Sequence, residues 1–167
     1  MGFIPHEVEV DVTANVAIRV DAVEDLINRN TLLLSTRDQR RTATMGIELG
    51  NLADHRQRRW TLGKREDVEA VASGILHEFE KFGLPYLERF SDLGAMFEVL
   101  SRNDQSAWLH SPIHSARCER AVALGLVLGR RDAARAVADS CIAFLAERGD
   151  PGLRGFKESL THLLEES

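Results

Sequence analysis

The sequence predicts an α+β domain in which an N-terminal antiparallel β-sheet of three to four strands packs against C-terminal α-helices that include an αα-hairpin. Apolar residues alternate with polar ones from Val8 to Val20, the period of a half-buried strand. After Arg65 they recur every three or four positions, the period of an amphipathic helix. Because 167 residues suit one core, we expect a single domain over residues 1–167, with residues 1–63 mainly strands and residues 64–167 mainly helices.

The first strand is predicted from Val8 to Val20, either long or broken once near Ala14 and Asn15. A short helix should follow and end near Asn28. Asp21 suits its N-cap, and Glu24 suits the position that reaches back in a capping box. The capped helix accounts for these carboxylates without a catalytic role.

Two further strands are predicted from Leu32 to Thr36 and from Thr42 to Leu49, joined by a polar hairpin loop over residues 37–41. Gly50-Asn51 should close the second of them, and Trp60 to Leu62 is predicted to be a fourth short strand. The side chains expected on the buried face of the strand before Gly50 are Met45, Ile47 and Leu49.

The best-marked helix is predicted from Arg65 to Pro85. Gly83 suits a left-handed helix end and Pro85 blocks continuation. We expect this helix to lie across the core face of the sheet, with Ile75 and Phe79 at the centre. Its apolar stripe consists of Val68, Val71, Ala72, Ile75, Phe79 and Phe82.

The C-terminal part should contain four helices. Ala121 to Leu128 is apolar all round and is expected to be the most buried segment, and Gly129 should separate the two helices of the αα-hairpin. Ser91 is predicted to cap a helix over Leu93–Leu100, and Ser111-Pro112 to begin a helix that ends at Leu128. Asp132 should cap the next helix. The last helix should bury Leu153, Phe156, Leu160, Leu163 and Leu164.

Cys118 and Cys141 lie on apolar helical faces, and the N-terminus lacks the basic and apolar regions of a signal peptide. We therefore expect a cytoplasmic protein with two reduced core cysteines, a disulfide being the less favoured alternative. The sequence contains no apolar run long enough to cross a bilayer.

Metal-ligand spacing occurs at His110, His114 and Cys118, which recur every four residues. Pro112 interrupts this run, so we assign no metal site. His77-Glu78 begins like the zinc-protease helix motif, but Lys81 stands where the second histidine belongs. The sequence therefore assigns no catalytic, cofactor-binding or metal-ligating residue.

A basic segment occupies residues 37–65, where eight basic side chains and three acidic ones give a local charge of +5 in a chain of net charge −5. Such a segment could attract phosphates or an acidic protein partner, but a solvated loop face is the favoured interpretation. We expect no specific nucleic-acid binding, because few aromatic residues are interleaved with the arginines. The candidate interaction surface consists of Arg37, Arg40, Arg41, Arg56, Arg58, Arg59 and Trp60.

The segment from Thr42 to Leu100 resembles the bacterial domain of unknown function 4304, and AIRVDAVEDL upstream is similar too. The resemblance is carried by the strand TATMGIELG, the entry at Trp60, the helix start EDVEAV, the stop GLPYLERF and the helix SDLGAMFEVL. The resemblance implies an α+β domain of small bacterial proteins with no established reaction. Some families of this general kind are suspected immunity or partner-binding proteins. No functional residue is carried over.

We expect a non-enzymatic protein-interaction or immunity-type module without a cofactor. A homo-oligomer is compatible with the sequence. The alternative is a small-molecule-binding protein or an enzyme with its site near His110 and His114, which would require a pocket that holds a titratable cluster.

Overall fold

A computed structural model describes residues 9–29 and 35–165 of this chain and confirms an α+β fold. The strands are β1 (Val10–Val12), β2 (Asn15–Ile18), β3 (Met45–Glu48) and β4 (Trp60–Leu62). The helices are α1 (Asp21–Asn28), α2 (Thr36–Gln39), α3 (Leu49–Asp54), α4 (Asp67–Glu78), α5 (Leu84–Arg89), α6 (Leu93–Leu100), α7 (Gln105–His110), α8 (His114–Val127), α9 (Arg131–Glu147) and α10 (Leu153–Glu165), with a π-helical turn at Phe79–Gly83.

The expected sheet of three to four strands is instead two antiparallel two-stranded sheets, β1 with β4 and β2 with β3. The alternating segment breaks at Thr13-Ala14, close to the predicted position, and each half pairs with a different strand. Val10 lies opposite Leu62, and Val12 lies opposite Trp60. Within the break, the Ala14 carbonyl accepts a hydrogen bond from the amide of Leu49 at 2.9 Å.

The chain divides into two compact units, and the division does not follow the predicted boundary at residue 63. Each unit is built from two separate stretches of chain, so this division does not test the prediction of one domain. The smaller unit extends to residue 16 and resumes over residues 47–89. The larger unit contains residues 17–46 and continues from residue 90.

In the smaller unit, β4 contacts α4, and α3 contacts the π-helical turn. The predicted stop at Gly83 and Pro85 is wrong, because the chain stays helical through the π turn into α5. An added Cβ at Gly83 would lie 2.5 Å from Phe79 Cδ2, so glycine serves here for close approach rather than for a left-handed end. Pro85 lies two residues after the π turn, inside this continuous helical stretch.

The stripe of the long helix is less buried than expected. Val68 is 51% exposed, Ala72 is exposed, and Ile75 and Phe79 are only half-buried. The prediction that Ile75 and Phe79 lie at the centre of a core is therefore wrong. The buried apolar side chains described in this unit are instead Val16, Ile47, Leu49 and Tyr86.

Around α8, the larger unit builds its main core. This helix contacts α1, α6, α9 and α10, and residues Ala121 to Gly125 are completely or almost completely buried. The predicted buried segment does not extend to Leu128, because Val127 is 36% exposed. Gly129 adopts φ +70° between α8 and α9, which confirms the αα-hairpin. The core cluster consists of Cys118, Val122, Ala134, Ala138, Cys141, Leu145, Phe156, Leu160 and Leu163.

Several predicted caps are wrong although the helices are present. Asp92, not Ser91, caps α6 by accepting from the Gly94 amide at 2.8 Å. Ser111 ends α7, a helix that the sequence analysis missed, and α8 begins only at His114. Asp132 lies inside the first turn of α9, whose N-cap is Arg130.

The predicted hairpin over residues 32–49 is also revised. Residues 32–34 lie outside the described residues, Thr36 begins the helix α2, and the expected strand from Thr42 is confined to β3. Gly50-Asn51 lies in α3 rather than in a turn. The expected buried face is confirmed, since Met45, Ile47 and Leu49 are all at most 6% exposed.

Candidate functional site

The clearest cluster of reactive side chains lies between α8 and α9 in the larger unit. His114 and Cys118 are one turn apart on α8, and Cys141 faces them from α9. Cys118 and Cys141 form a disulfide with a Cα–Cα distance of 6.4 Å, and their exposed fractions are 1% and 3%. The prediction of two reduced cysteines is therefore wrong for this structure, because the hairpin brings together two residues that are 23 positions apart.

A buried arginine sets the protonation of the histidine. Arg117 is 4% exposed, and its Nη2 lies 2.8 Å from His114 Nδ1. A guanidinium can only donate, so Nδ1 must accept and the ring proton of neutral His114 must be on Nε2. Nε2 lies 3.5 Å from Cys118 Sγ, so its N–H points at the sulfur.

The electrostatic surroundings keep this imidazole neutral. Burial lowers the pKa of His114, and the positive charges of Arg117 and Arg148 lower it further, while Asp150 and a hydrogen bond with the backbone of Cys141 act in the opposite direction. The ring also packs on Phe144, with the ring centres 4.3 Å apart. His114 is therefore a fixed N–H donor.

Arg117 itself is incompletely satisfied. Its Nη1 donates to the Ser111 carbonyl at 2.9 Å, but Nε has no hydrogen-bond partner. Burial lowers the pKa of its guanidinium, which stays protonated. Among the described residues no carboxylate forms an ion pair with Arg117, so the cluster carries a buried positive charge without direct compensation.

The ligand atoms of His114, Cys118 and Cys141 lie within 4.8 Å of one another, a spacing suited to a metal ion. The hydrogen bonds do not suit one. A metal at Nε2 would require the proton to move to Nδ1, which faces the Arg117 donor. The cluster therefore fits thiol chemistry better than metal ligation.

Beside this cluster is an open cleft of about 450 Å³, formed by the start of α8, the end of α9 and the start of α10. Its lining includes Ile113, His114, Glu119, Leu145, Asp150 and Phe156. Glu119 accepts from the Ser159 hydroxyl at 2.8 Å, and Asp150 accepts from the Gly152 amide at 2.7 Å. In each carboxylate one oxygen accepts a hydrogen bond from the wall of the cleft, and the other oxygen remains for a ligand.

The predicted basic surface is divided between the two units. Arg37, Arg40 and Arg41 belong to the larger unit and are exposed, whereas Arg56, Arg58, Arg59 and Trp60 belong to the smaller one. Whether these residues form an interaction surface stays a prediction.

Two members of that set have structural contacts. Arg58 pairs with Asp54 and with the buried Glu78, and its amide donates to Glu48 at 2.8 Å. Trp60 is half-buried against Gly74 of α4. Both side chains thus hold the smaller unit together, which leaves them less available to a partner.

His110, the other histidine of the metal-spaced run, packs edge-on against Phe90 at 5.4 Å and lies outside the cluster. The third member is instead Cys141, which sequence spacing could not reveal. The available signal was the αα-hairpin itself, since Cys118 and Cys141 each belong to the inner stripe of one of its helices.

Comparison with protein-family models, with curated proteins and with solved structures finds no match to this chain. The resemblance to the domain of unknown function 4304 stays a prediction. In the described part of the chain, no helix has both the length and the apolar character that crossing a bilayer requires.

Proposed function

We propose that this protein is a non-enzymatic, cytoplasmic binding module of bacterial origin, and that its cleft beside α8 receives a basic side chain of a partner protein. The observation that carries this proposal is the lining of the cleft. Two carboxylates, from Glu119 and Asp150, lie beside apolar side chains, a combination that suits the ammonium or guanidinium group and the methylene stem of lysine or arginine.

The rim of the cleft supports a protein partner. Ile113 lines the cleft and is 67% exposed, a large fraction for an isoleucine. An apolar side chain at the edge of a charged pocket is typical of an interface, where it becomes buried when the partner docks.

His114 favours binding over catalysis. An imidazole acts as a general base through an unprotonated ring nitrogen. Here Nδ1 already accepts from Arg117, and Nε2 carries the proton. The enzyme alternative would have to begin by breaking the bond from Arg117.

The direct test is an NMR titration with three blocked amino acids as probes, namely the N-acetyl methylamides of arginine, lysine and glutamate. We expect the first two to shift the amide signals of Gly152 and Gly155 and the glutamate probe to leave them unchanged. Glu119→Gln with Asp150→Asn should weaken the arginine effect about tenfold, because the charge attraction is removed.

Asp132→Asn is the matched control, since Asp132 is an exposed carboxylate at the opposite end of α9. It should leave the titration unchanged. Equal shifts with the glutamate probe, or no shift at the cleft with any probe, would contradict the proposal.

A second candidate is recognition of an acidic partner by the exposed arginines of the larger unit, Arg37, Arg40 and Arg41. This binding should weaken steeply with salt. A hexaglutamate peptide is a suitable probe, and charge reversal at the three arginines should abolish its binding at low salt while cleft binding persists.

A further inference from the structure

We propose that Cys118 and Cys141 form a redox-active pair that exchanges its disulfide with small-molecule thiols, instead of acting as an inert cross-link. The proposal is independent of what the cleft binds. It follows from the groups placed around the two sulfurs.

A hydrogen-bond chain ends at Cys118. Arg117 donates to His114 Nδ1 at 2.8 Å, and this bond leaves the Nε2–H of His114 to be shared between Cys118 Sγ, 3.5 Å away, and the backbone of Cys141. A disulfide sulfur accepts such a donor weakly, whereas a thiolate accepts it strongly. The chain therefore stabilises the reduced, ionised form of Cys118 selectively.

Arg117 adds a buried positive charge that forms no ion pair with a carboxylate of the described residues, although the charge of Asp104 acts on it. This guanidinium is 4% exposed, and its Nε has no partner. A thiolate on Cys118 would supply a negative charge next to the cluster, and disulfide formation removes it. Both effects favour the dithiol form and make the disulfide more oxidising, as in pairs whose reduced state is stabilised by their surroundings.

The expected reaction has two steps and consumes two small thiols. The thiolate of the first attacks Cys141 Sγ, the S–S bond breaks, and Cys118 leaves as a thiolate that His114 holds. The second small thiolate attacks the small-molecule sulfur of the mixed disulfide, which releases a small disulfide and the Cys141 thiolate. Two electrons pass to the protein, and the two protons released by the small thiols protonate the cysteine thiolates to an extent set by the pH.

The path from solvent to the disulfide is short. Cys141 is 3% exposed, but the open cleft reaches His114, which is one helical turn from Cys118. Local opening of the hairpin end would admit a small thiol, and such local openings cost less than global unfolding.

The test is a redox titration of the whole protein in glutathione buffers, in which the reduced cysteines are counted by maleimide mass labelling. The equilibrium constant for reduction should fall about tenfold in His114→Phe, a shift of about 30 mV for this two-electron couple. Phenylalanine keeps the contact with Phe144 but has no N–H. His162→Phe, the same substitution at an exposed position of α10, should change nothing.

A second measurement separates this role from a structural one. In Cys141→Ser the lone thiol of Cys118 should ionise below the ordinary value of about 8.5, as followed by thiolate absorbance. His114→Phe in the same background should raise it. A midpoint below about −300 mV, typical of structural disulfides, failure of the pair to oxidise, or unchanged values in His114→Phe would overturn the proposal.

Tight zinc binding by the reduced wild type, lost in His114→Phe, would also overturn it in favour of a metal site.

Discussion

Glu24 is a buried carboxylate on α1 whose two oxygens face Arg120 of α8. It is 1% exposed, and Arg120 Nε donates to it at 3.0 Å, as does the Thr44 hydroxyl. Burial acts to raise the pKa of Glu24, but the hydrogen bonds and charge of Arg120 outweigh it and lower the pKa. Glu24 thus joins α1 to α8 and does not form the predicted capping box; the carboxylate of Asp21 accepts from Arg19.

Glu24→Ala should destabilise the protein by about 3 to 5 kcal/mol, because it leaves the Arg120 charge partly buried without a partner. Urea unfolding followed by circular dichroism measures the change. Asp25→Ala is the control on the same helix, since the Asp25 side chain is 71% exposed and its contact with Arg19 is long, at 3.9 Å. This variant should cost no more than about 1 kcal/mol. Similar losses for both variants would show that the Glu24 bridge is not the cause.

Acid should destabilise the protein in two stages. The pKa of His114 is lower in the folded state, so its contribution is complete above the unfolded value of 6.5 and decreases as the pH falls toward the folded value. The lowered pKa of Glu24 adds stability above the unfolded value of 4.5, which is lost as the pH falls through the folded value. Melting midpoints measured from pH 8 to pH 3 should show both, and His114→Phe should remove only the first.

At the scale of elements, Gly125 sets how closely α8 approaches its neighbours. An added Cβ would lie 2.9 Å from the Ala134 Cβ and 3.0 Å from Phe97 Cε2. Glycine at this position therefore allows the close approach of α8 to α9 and to Phe97. Gly129 instead provides the left-handed turn.

Gly125→Ala and Gly155→Ala should have opposite effects. The first must push α9 or Phe97 away and should cost about 1 to 3 kcal/mol. The second lies in α10 with no atom within 4 Å of the added Cβ, so the better helix propensity of alanine should stabilise by up to about 1 kcal/mol. Thermal unfolding of the two variants measures this, and a stabilising Gly125→Ala would mean that the hairpin yields easily.

The most costly truncation should be in α8 rather than in the long helix of the smaller unit. Leu124 is completely buried, so Leu124→Ala should cost about 2 to 5 kcal/mol. Phe79 is half-buried, and Phe79→Ala should cost about 1 to 2 kcal/mol. Glu80→Ala, at an exposed position, is the neutral reference in the same urea titration. A larger loss at Phe79 than at Leu124 would contradict the burial of the two side chains.

At the scale of the whole molecule, the disulfide closes a loop between residues 23 positions apart in the larger unit. Loop closure alone would make reduction cost about 3 kcal/mol of stability. The loss should be smaller than this, because the surroundings of Cys118 stabilise the reduced form. Urea unfolding with and without dithiothreitol measures the difference. Cys141→Ser should match the reduced wild type and ignore the reductant, and any remaining response would have to come from elsewhere.

The sequence by itself determined the features that depend on neighbouring residues. The period of two predicted the face that contains Val16, the period of 3.6 predicted α6 and α8 to α10, and Gly129 predicted the turn of the hairpin. These follow from backbone geometry and local burial, which a window of about ten residues already contains.

Only the tertiary structure decided which residues meet across the chain. The alternating segment breaks into two sheets because its halves pair with β4 and β3, and Glu24 turns inward because Arg120, 96 positions away, neutralises it. Cys118 meets Cys141 because two helices pack with those faces inward, and Arg117 selects the His114 tautomer only once it is buried there. A sequence pattern shows that such groups are apolar-facing or charged, but the energy of burying a charge depends on the partner that the fold supplies.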